Sequence, residues 1–275
     1  MTDLPDELLA LAVHQADRAA RLLLDGLRGP RVRVDTKSSV TDFVTEMDRA
    51  SERLIVDGIL AARPDDGILG EEGATVPGMS GVRWVIDPLD GTTNFLYRLP
   101  GFAVSIAAEV DGTTVAGVVH DVVHAEVFTA ARGGGARLNG EPIGPTGLTD
   151  PERALVATGF SYVPERRHHQ AQVLARVLHR IGNLRRVGAA AVDICMVACG
   201  RADAYFEWGL SPWDWAAGRL VAEEAGARTG ELDGDPALPA SLLVATPAVF
   251  DRLKALIDDA ITAVATTRNP TGPVG

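Results

Sequence analysis

The stretch Trp84-Val85-Ile86-Asp87-Pro88-Leu89-Asp90-Gly91-Thr92-Thr93-Asn94-Phe95 constrains this chain more than any other. A short apolar run of strand-forming residues delivers Asp87 to its end, and Pro88, lacking an N–H, is expected to stop ladder pairing there. A second carboxylate, Asp90, follows on the turn. Carboxylate and carbonyl oxygens are the hard ligands that Mg²⁺ and similar ions take. Gly91 permits close backbone approach, so the amides of Gly91 and Thr92 can hold a phosphate. A lone Asp-Pro is ordinary turn chemistry. Strand, two acids, glycine and paired threonines together point to a metal and phosphate site.

Three further acidic clusters flank this one. In Ile68-Leu69-Gly70-Glu71-Glu72-Gly73, either Glu71 or Glu72 is placed to reach the same ion. In Asp42-Phe43-Val44-Thr45-Glu46-Met47-Asp48, Thr45 or Asp48 reads as the cap of a helix. In Ser211-Pro212-Trp213-Asp214-Trp215, Asp214 falls at a helix start, where the dipole favours an anion. Capping explains the last two without chemistry, and the small residues Ala216-Ala217-Gly218 suit close packing of the helix that follows.

Around these clusters the periodicity predicts helices over 4–28 and from 45–48 to 62, with a loop or hairpin at 37–42 between them. Strand-like runs follow at 82–86, 102–110, 114–119 and 125–130, and Gly133-Gly134-Gly135 reads as a flexible turn rather than a phosphate loop. Beyond residue 144 strands at 155–158, 202–207 and 242–246 alternate with helices at 165–181, 189–199, 213–225 and 248–265. This alternation predicts α/β layering. The expected organisation is one unit, 1–267, of two packed lobes (1–143, with most of the acids, and 144–267). The segment from Thr266, and 268–275 in particular, reads as a disordered tail.

Composition narrows the function classes. Twenty-six Lys and Arg against 37 Asp and Glu leave a net charge of −11, which argues against a nucleic-acid binder or a polybasic membrane-surface protein. The acidic N-terminus is unlike a signal peptide, and no apolar run approaches the roughly 18 residues of a bilayer span. A cytoplasmic location is expected. Two cysteines, Cys195 and Cys199, are too few for a disulfide framework and read as small core residues. No Cys lies in the acidic clusters and no His has a partner motif, so no protein nucleophile stands out.

The four clusters taken in order resemble the inositol monophosphatase family, within the lithium-sensitive, Mg²⁺-dependent sugar phosphatases. The likeness is carried by Asp42-Phe43-Val44-Thr45 with Asp48, Gly70-Glu71-Glu72, Asp87 through Phe95, and Trp213-Asp214 with Ala216-Ala217-Gly218. It continues through Arg186-Val187-Gly188-Ala189-Ala190-Ala191 and Ala202 through Glu207. Pro212 and Trp215 depart from the residues usual beside that aspartate.

The resemblance implies a five-layered α-β-α-β-α sandwich and a homodimer. It also implies a phosphomonoesterase of myo-inositol monophosphate, working by in-line attack of a metal-activated water. Glu71, Asp87, the Leu89 carbonyl, Asp90 and Asp214 would hold two or three Mg²⁺. Asp48 and Thr92 would orient and deprotonate the water, with Glu71 assisting. Gly91 and Thr92 would carry the phosphate, and Asp90, Ala190, Glu207 and Asp214 the polyol hydroxyls. Alternatives are the same chemistry on histidinol phosphate, fructose 1,6-bisphosphate or a nucleotide 3′-phosphate, and a non-catalytic partner of the transcription machinery.

Overall fold

A computed structural model describes residues 3–29, 34–36, 43–232 and 240–268. Within them the helices are α1 (Leu4–Arg28), α2 (Glu46–Ala62), α3 (Thr92–Tyr97), α4 (Pro164–Val177), α5 (Ala190–Ala198), α6 (Pro212–Glu224) and α7 (Phe250–Arg268). The strands are β1 (Val34–Thr36), β2 (Phe43–Thr45), β3 (Gly67–Gly70), β4 (Thr75–Val76), β5 (Val82–Asp90), β6 (Ala103–Val110), β7 (Thr113–Asp121), β8 (Glu126–Ala131), β9 (Ala136–Leu138) and β10 (Glu141–Pro142) in the first part of the chain. Then come β11 (Leu155–Thr158), β12 (Asn183–Arg185), β13 (Ala204–Trp208), β14 (Arg228–Gly230) and β15 (Ser241–Ala245).

Two sheets organise the molecule. The larger runs β10-β9-β8-β7-β6-β5-β3-β4 and is antiparallel except where β3 pairs with β5; the smaller runs β12-β11-β13-β15-β14. Because side chains alternate along a strand, each sheet feeds two cores. In β5, Val82, Trp84 and Ile86 pack with α1 and α2, whereas Val85 points to the opposite core with α5 and α6. In β13, Tyr205 faces that same middle core, while Ala204, Phe206 and Trp208 face α4 and α7. The result is five layers: α1 and α2, the large sheet, α5 and α6, the small sheet, α4 and α7. The expected α-β-α-β-α sandwich is what the chain forms.

The small residues of α6 do what their size suggests. A Cβ on Gly117 of β7 would stand 3.1 Å from the Ala217 backbone, and one on Gly218 3.2 Å from Ile194 of α5. The helix therefore sits close to both neighbours, which carries its first turn toward the end of β5.

Several expectations need correction. β5 does not stop at Ile86: Asp87 pairs with Ser105, the register then slips, and Asp90 pairs with Ala103. Pro88 cannot donate and the Leu89 N–H turns to Asp87 Oδ1 (3.0 Å), so the interruption is a local bulge. The helix expected at 165–181 ends at Val177 in a 3₁₀ turn. The last helix runs on through Thr266 to Arg268, where a tail was expected, and 269–275 lie outside the described residues. The loop expected at 37–42, and with it Asp42, also falls outside them. The short strands β3, β4, β9, β10, β12 and β14 and the six-residue α3 were not legible in the sequence. They are too short to show a period and owe their form to sheet neighbours. Gly133–Gly135 is the turn expected, its amides held by the Glu224 carboxylate at 2.9 and 3.0 Å.

Candidate active site

The bulge at the end of β5 opens into a cleft of about 410 Å³ whose lining includes Glu71, Asp87, Leu89, Asp90, Gly91, Thr92, Ala190, Glu207 and Asp214. Nine of the residues singled out from sequence therefore meet in one place, although they come from 71 to 214 along the chain. Asp48, fully buried beneath the cleft, reaches it through Thr92, whose Oγ1 donates to Asp48 Oδ1 at 2.9 Å. The open alternative at 71–72 resolves: Glu71 lines the cleft, and Glu72 does not.

Local structure explains each placement. Gly91 adopts φ +89°, and a Cβ there would lie 2.8 Å from the Gly101 carbonyl, so no side chain fits between Asp90 and Thr92. Asn94 pins the far side of this turn by donating to the carbonyls of Gly101 (2.6 Å) and Val187 (2.9 Å). Glu71 follows β3, and its N–H donates to the Ile86 carbonyl at 3.1 Å. The capping readings hold, but for one oxygen each. Asp48 Oδ2 closes a capping box with Thr45, leaving Oδ1 to Thr92. Asp214 Oδ2 accepts from the Ser211 N–H at 2.6 Å at the start of α6. Pro212 occupies the first turn of α6, where its missing N–H costs nothing. Trp213 lines the cleft, whereas Trp215 lies outside it with the Arg219 guanidinium 5.6 Å from its ring centroid.

At the far end Tyr205 donates to Glu207 Oε2 at 2.7 Å. A Cβ on Gly159 would overlap the Glu207 carboxylate, so the glycine makes room for it. Asp90 Oδ2 accepts from the Ala191 N–H at 2.7 Å, and Ala190, expected to meet the polyol, lines the cleft beside it. Asp193, missed in the sequence, also lines the cleft, and its buried Oδ1 has no hydrogen-bond partner. Its signal was present: it is the only charge in the helix Ala-Ala-Val-Asp-Ile-Cys-Met-Val-Ala. Cys195 on the same helix is buried and free, as expected of a small core residue.

Burial and mutual repulsion make the group electrostatically costly. Burial, then the charges of Glu71, Asp90 and Asp214, push the Asp87 carboxyl well above its usual range. Burial, with Glu71 and Asp193 nearby, moves Asp90 up to about 8 despite the Ala191 amide. Asp214 is driven up by burial and by Asp90 and Glu71. Asp193 rises to about 8 through burial and Glu207, and Glu207 to about 7 through burial, Tyr205 and Arg186 opposing. Burial also raises Asp48.

This donor set fits a hard divalent cation. All its ligating atoms are oxygens and the acids crowd one cleft, so the repulsion that raises Asp87 is relieved by a bound positive charge. Among the described residues no three acidic, His or Cys side chains already close on one point as a finished cage.

Comparison with known proteins agrees with this geometry. A family described as the inositol monophosphatase family matches residues 4–265. The chain is 47% identical over 235 residues to inositol-1-monophosphatase SuhB of Mycobacterium tuberculosis, covering 82% of this chain and 81% of the relative. The solved structure of that SuhB superposes with a TM-score of 0.79 and 39% identity over 94% of this chain and 98% of the other. Nus factor SuhB of Escherichia coli is 40% identical over 229 residues, 82% of this chain and 86% of the relative. Extragenic suppressor protein SuhB from Bartonella henselae superposes with a TM-score of 0.86 at 34% identity, covering 91% and 98%.

Proposed function

The chain belongs to the inositol monophosphatase family, and on that premise we propose that it is a Mg²⁺-dependent phosphomonoesterase that releases phosphate from myo-inositol monophosphate. The observation that carries the reading is the meeting of Glu71, Asp87, Asp90 and Asp214 with the Gly91–Thr92 turn in one cleft. Those carboxylates and the Leu89 carbonyl would hold Mg²⁺, which when bound would supply charge neutralisation of the phosphoryl oxygens, a more acidic water and stabilisation of the leaving alkoxide.

The chain's own residues do the rest. The Gly91 and Thr92 amides seat the phosphate. Thr92 Oγ1 gives its hydrogen to Asp48, which leaves its lone pairs facing the cleft to orient the attacking water and take its proton. Asp48, raised by burial toward a working range, is the final acceptor. Asp90, Ala190, Glu207 and Asp214 receive the polyol hydroxyls, and Asp193 joins them at the same end. The homodimer, the lithium sensitivity and the cytoplasmic setting implied by the resemblance belong to this reading. No helix among the described residues is long and apolar enough to cross a membrane.

A phosphate-release screen with Mg²⁺ over inositol 1-phosphate, histidinol phosphate, fructose 1,6-bisphosphate and adenosine 3′,5′-bisphosphate tests the substrate. Inositol 1-phosphate is expected to give the highest kcat/KM. Asp87→Asn is expected to abolish turnover with the fold retained; undiminished activity in that variant overturns the metal assignment. A second reading, a partner of the transcription machinery, is supported by the name Nus factor carried by the Escherichia coli relative. Recovery of a transcription complex by the Asp214→Asn protein, inactive as a phosphatase, would favour it.

A further inference from the structure

Helix α2 supports the cleft from beneath through three positions of one helical face, Asp48, Ser51 and Glu52. All three are buried, and each reaches a different part of the site. Asp48 takes the Thr92 hydroxyl, and Ser51 Oγ donates to the Pro88 carbonyl at 2.9 Å inside the β5 bulge. Glu52 does not line the cleft. Its carboxylate accepts two backbone N–H groups of the turn after β3, Glu72 N to Oε2 at 2.9 Å and Ala74 N to Oε1 at 3.2 Å. Charge-assisted bonds of this kind are stronger and more directional than neutral ones.

The turn is shaped around that carboxylate. A Cβ built on Gly70 would stand 2.1 Å from Glu52 Oε2, so the space a side chain at 70 would use is filled by Glu52. Gly70 N also donates to the Ala74 carbonyl at 2.7 Å, closing the turn, and the Glu71 N–H is tied to Ile86 of β5. Glu71 is thus fixed on one side by the large sheet and on the other by Glu52. With the Glu72 amide committed to α2, it is Glu71 that faces Asp87 and the cleft.

We propose that Glu52 is a positioning residue for the cation site, holding the Gly70–Ala74 turn so that Glu71 and not Glu72 is presented to the metal. The inference rests on the reading of the cleft as a Mg²⁺ site. Glu52→Gln keeps the volume but turns an NH₂ toward one of two N–H groups, so one bond is replaced by a clash of donors. Glu52→Asp keeps the charge but falls one methylene short.

The test is Mg²⁺ titration by calorimetry into EDTA-stripped wild type, Glu52→Gln and Glu52→Asp, with thermal melts in EDTA and steady-state kinetics alongside. Loss of a supporting contact of this kind weakens metal binding by roughly 10–100-fold. Glu52→Gln is expected in that range and Glu52→Asp between it and wild type. The Mg²⁺ needed for half-maximal activity should rise in step, while KM for inositol 1-phosphate at saturating Mg²⁺ stays near wild type. Unchanged Mg²⁺ affinity in two folded variants overturns the proposal, as does failure of both to fold, which would make Glu52 a folding residue only. Absence of Mg²⁺ binding by the wild type overturns the metal reading itself, and that result appears before any variant is compared.

Discussion

Gly91 and Thr92 carry the sharpest demands on single residues. At φ +89°, with the Gly101 carbonyl 2.8 Å from where a Cβ would stand, Gly91 tolerates no side chain. Gly91→Ala is expected to cost about 1–3 kcal/mol of stability in urea denaturation, and to abolish phosphate release because the amides that seat the phosphate shift. Thr92→Ala removes the hydroxyl that Asp48 holds and is expected to lower kcat by roughly 10²–10⁴-fold, with Thr92→Ser recovering most of the loss. A steady-state comparison of the three proteins checks this. Gly91 and Thr92 were legible in the sequence because their chemistry depends on residue type and immediate neighbours. Asp193 was not singled out, since its place depends on which face of α5 meets the cleft, and that is a packing outcome. The bond from the Ala191 amide to Asp90 has the same origin, since only the docked helix brings the two together.

At the scale of elements, α2 and α6 each bring one capping aspartate to the site, and each sits where it does because of small or polar side chains on its inner face. On α2, Ser51→Ala leaves the buried Pro88 carbonyl without its donor, at an expected cost of about 1–3 kcal/mol. The midpoint of urea unfolding should fall with the slope unchanged. On α6, Ala217 lies 3.1 Å from the Cβ position of Gly117, so Ala217→Leu overpacks the interface by more than it can absorb. The expected loss is about 1–3 kcal/mol, with kcat falling further than stability because Asp214 moves with its helix. The long helices α1, α2, α6 and α7 were readable from their apolar period and caps. The bulge in β5 was not: Pro88 signalled an end to pairing, whereas β6 continues past it and recovers the register at Asp90.

For the whole molecule, the acids first counted as a net charge of −11 include a costly internal group. Asp90 and Asp193 sit at about 8 and Glu207 at about 7, against ordinary values of 3.8 and 4.5. A raised carboxyl pKa means the folded chain binds more protons than the unfolded one, so stability is lost as pH climbs from the ordinary carboxylate range through about 8. In EDTA the Tm is expected to fall between pH 5 and pH 8, the span over which these carboxyls lose their protons in the folded chain. Added Mg²⁺ should restore it most at the higher pH, where the acids are being forced to ionise together. Scanning calorimetry across that range, with and without Mg²⁺, measures both effects; a Tm that rises with pH in EDTA contradicts the account.

By itself the sequence determined the residue chemistry: a strand ending in Asp87-Pro88-Leu89-Asp90-Gly91-Thr92, capping aspartates at two helix starts, and enough alternation of apolar runs to require layers. These are readable because backbone conformation, capping and hard-ligand character act over a few neighbouring residues. Tertiary structure alone decided which acids meet, that Glu71 rather than Glu72 enters the cleft, that Asp193 joins it, and that Glu52 and Ser51 brace turns more than 15 residues away along the chain. Those outcomes depend on how two sheets and the helices between them dock, and no local pattern encodes a contact between residues whose separation is set by the fold.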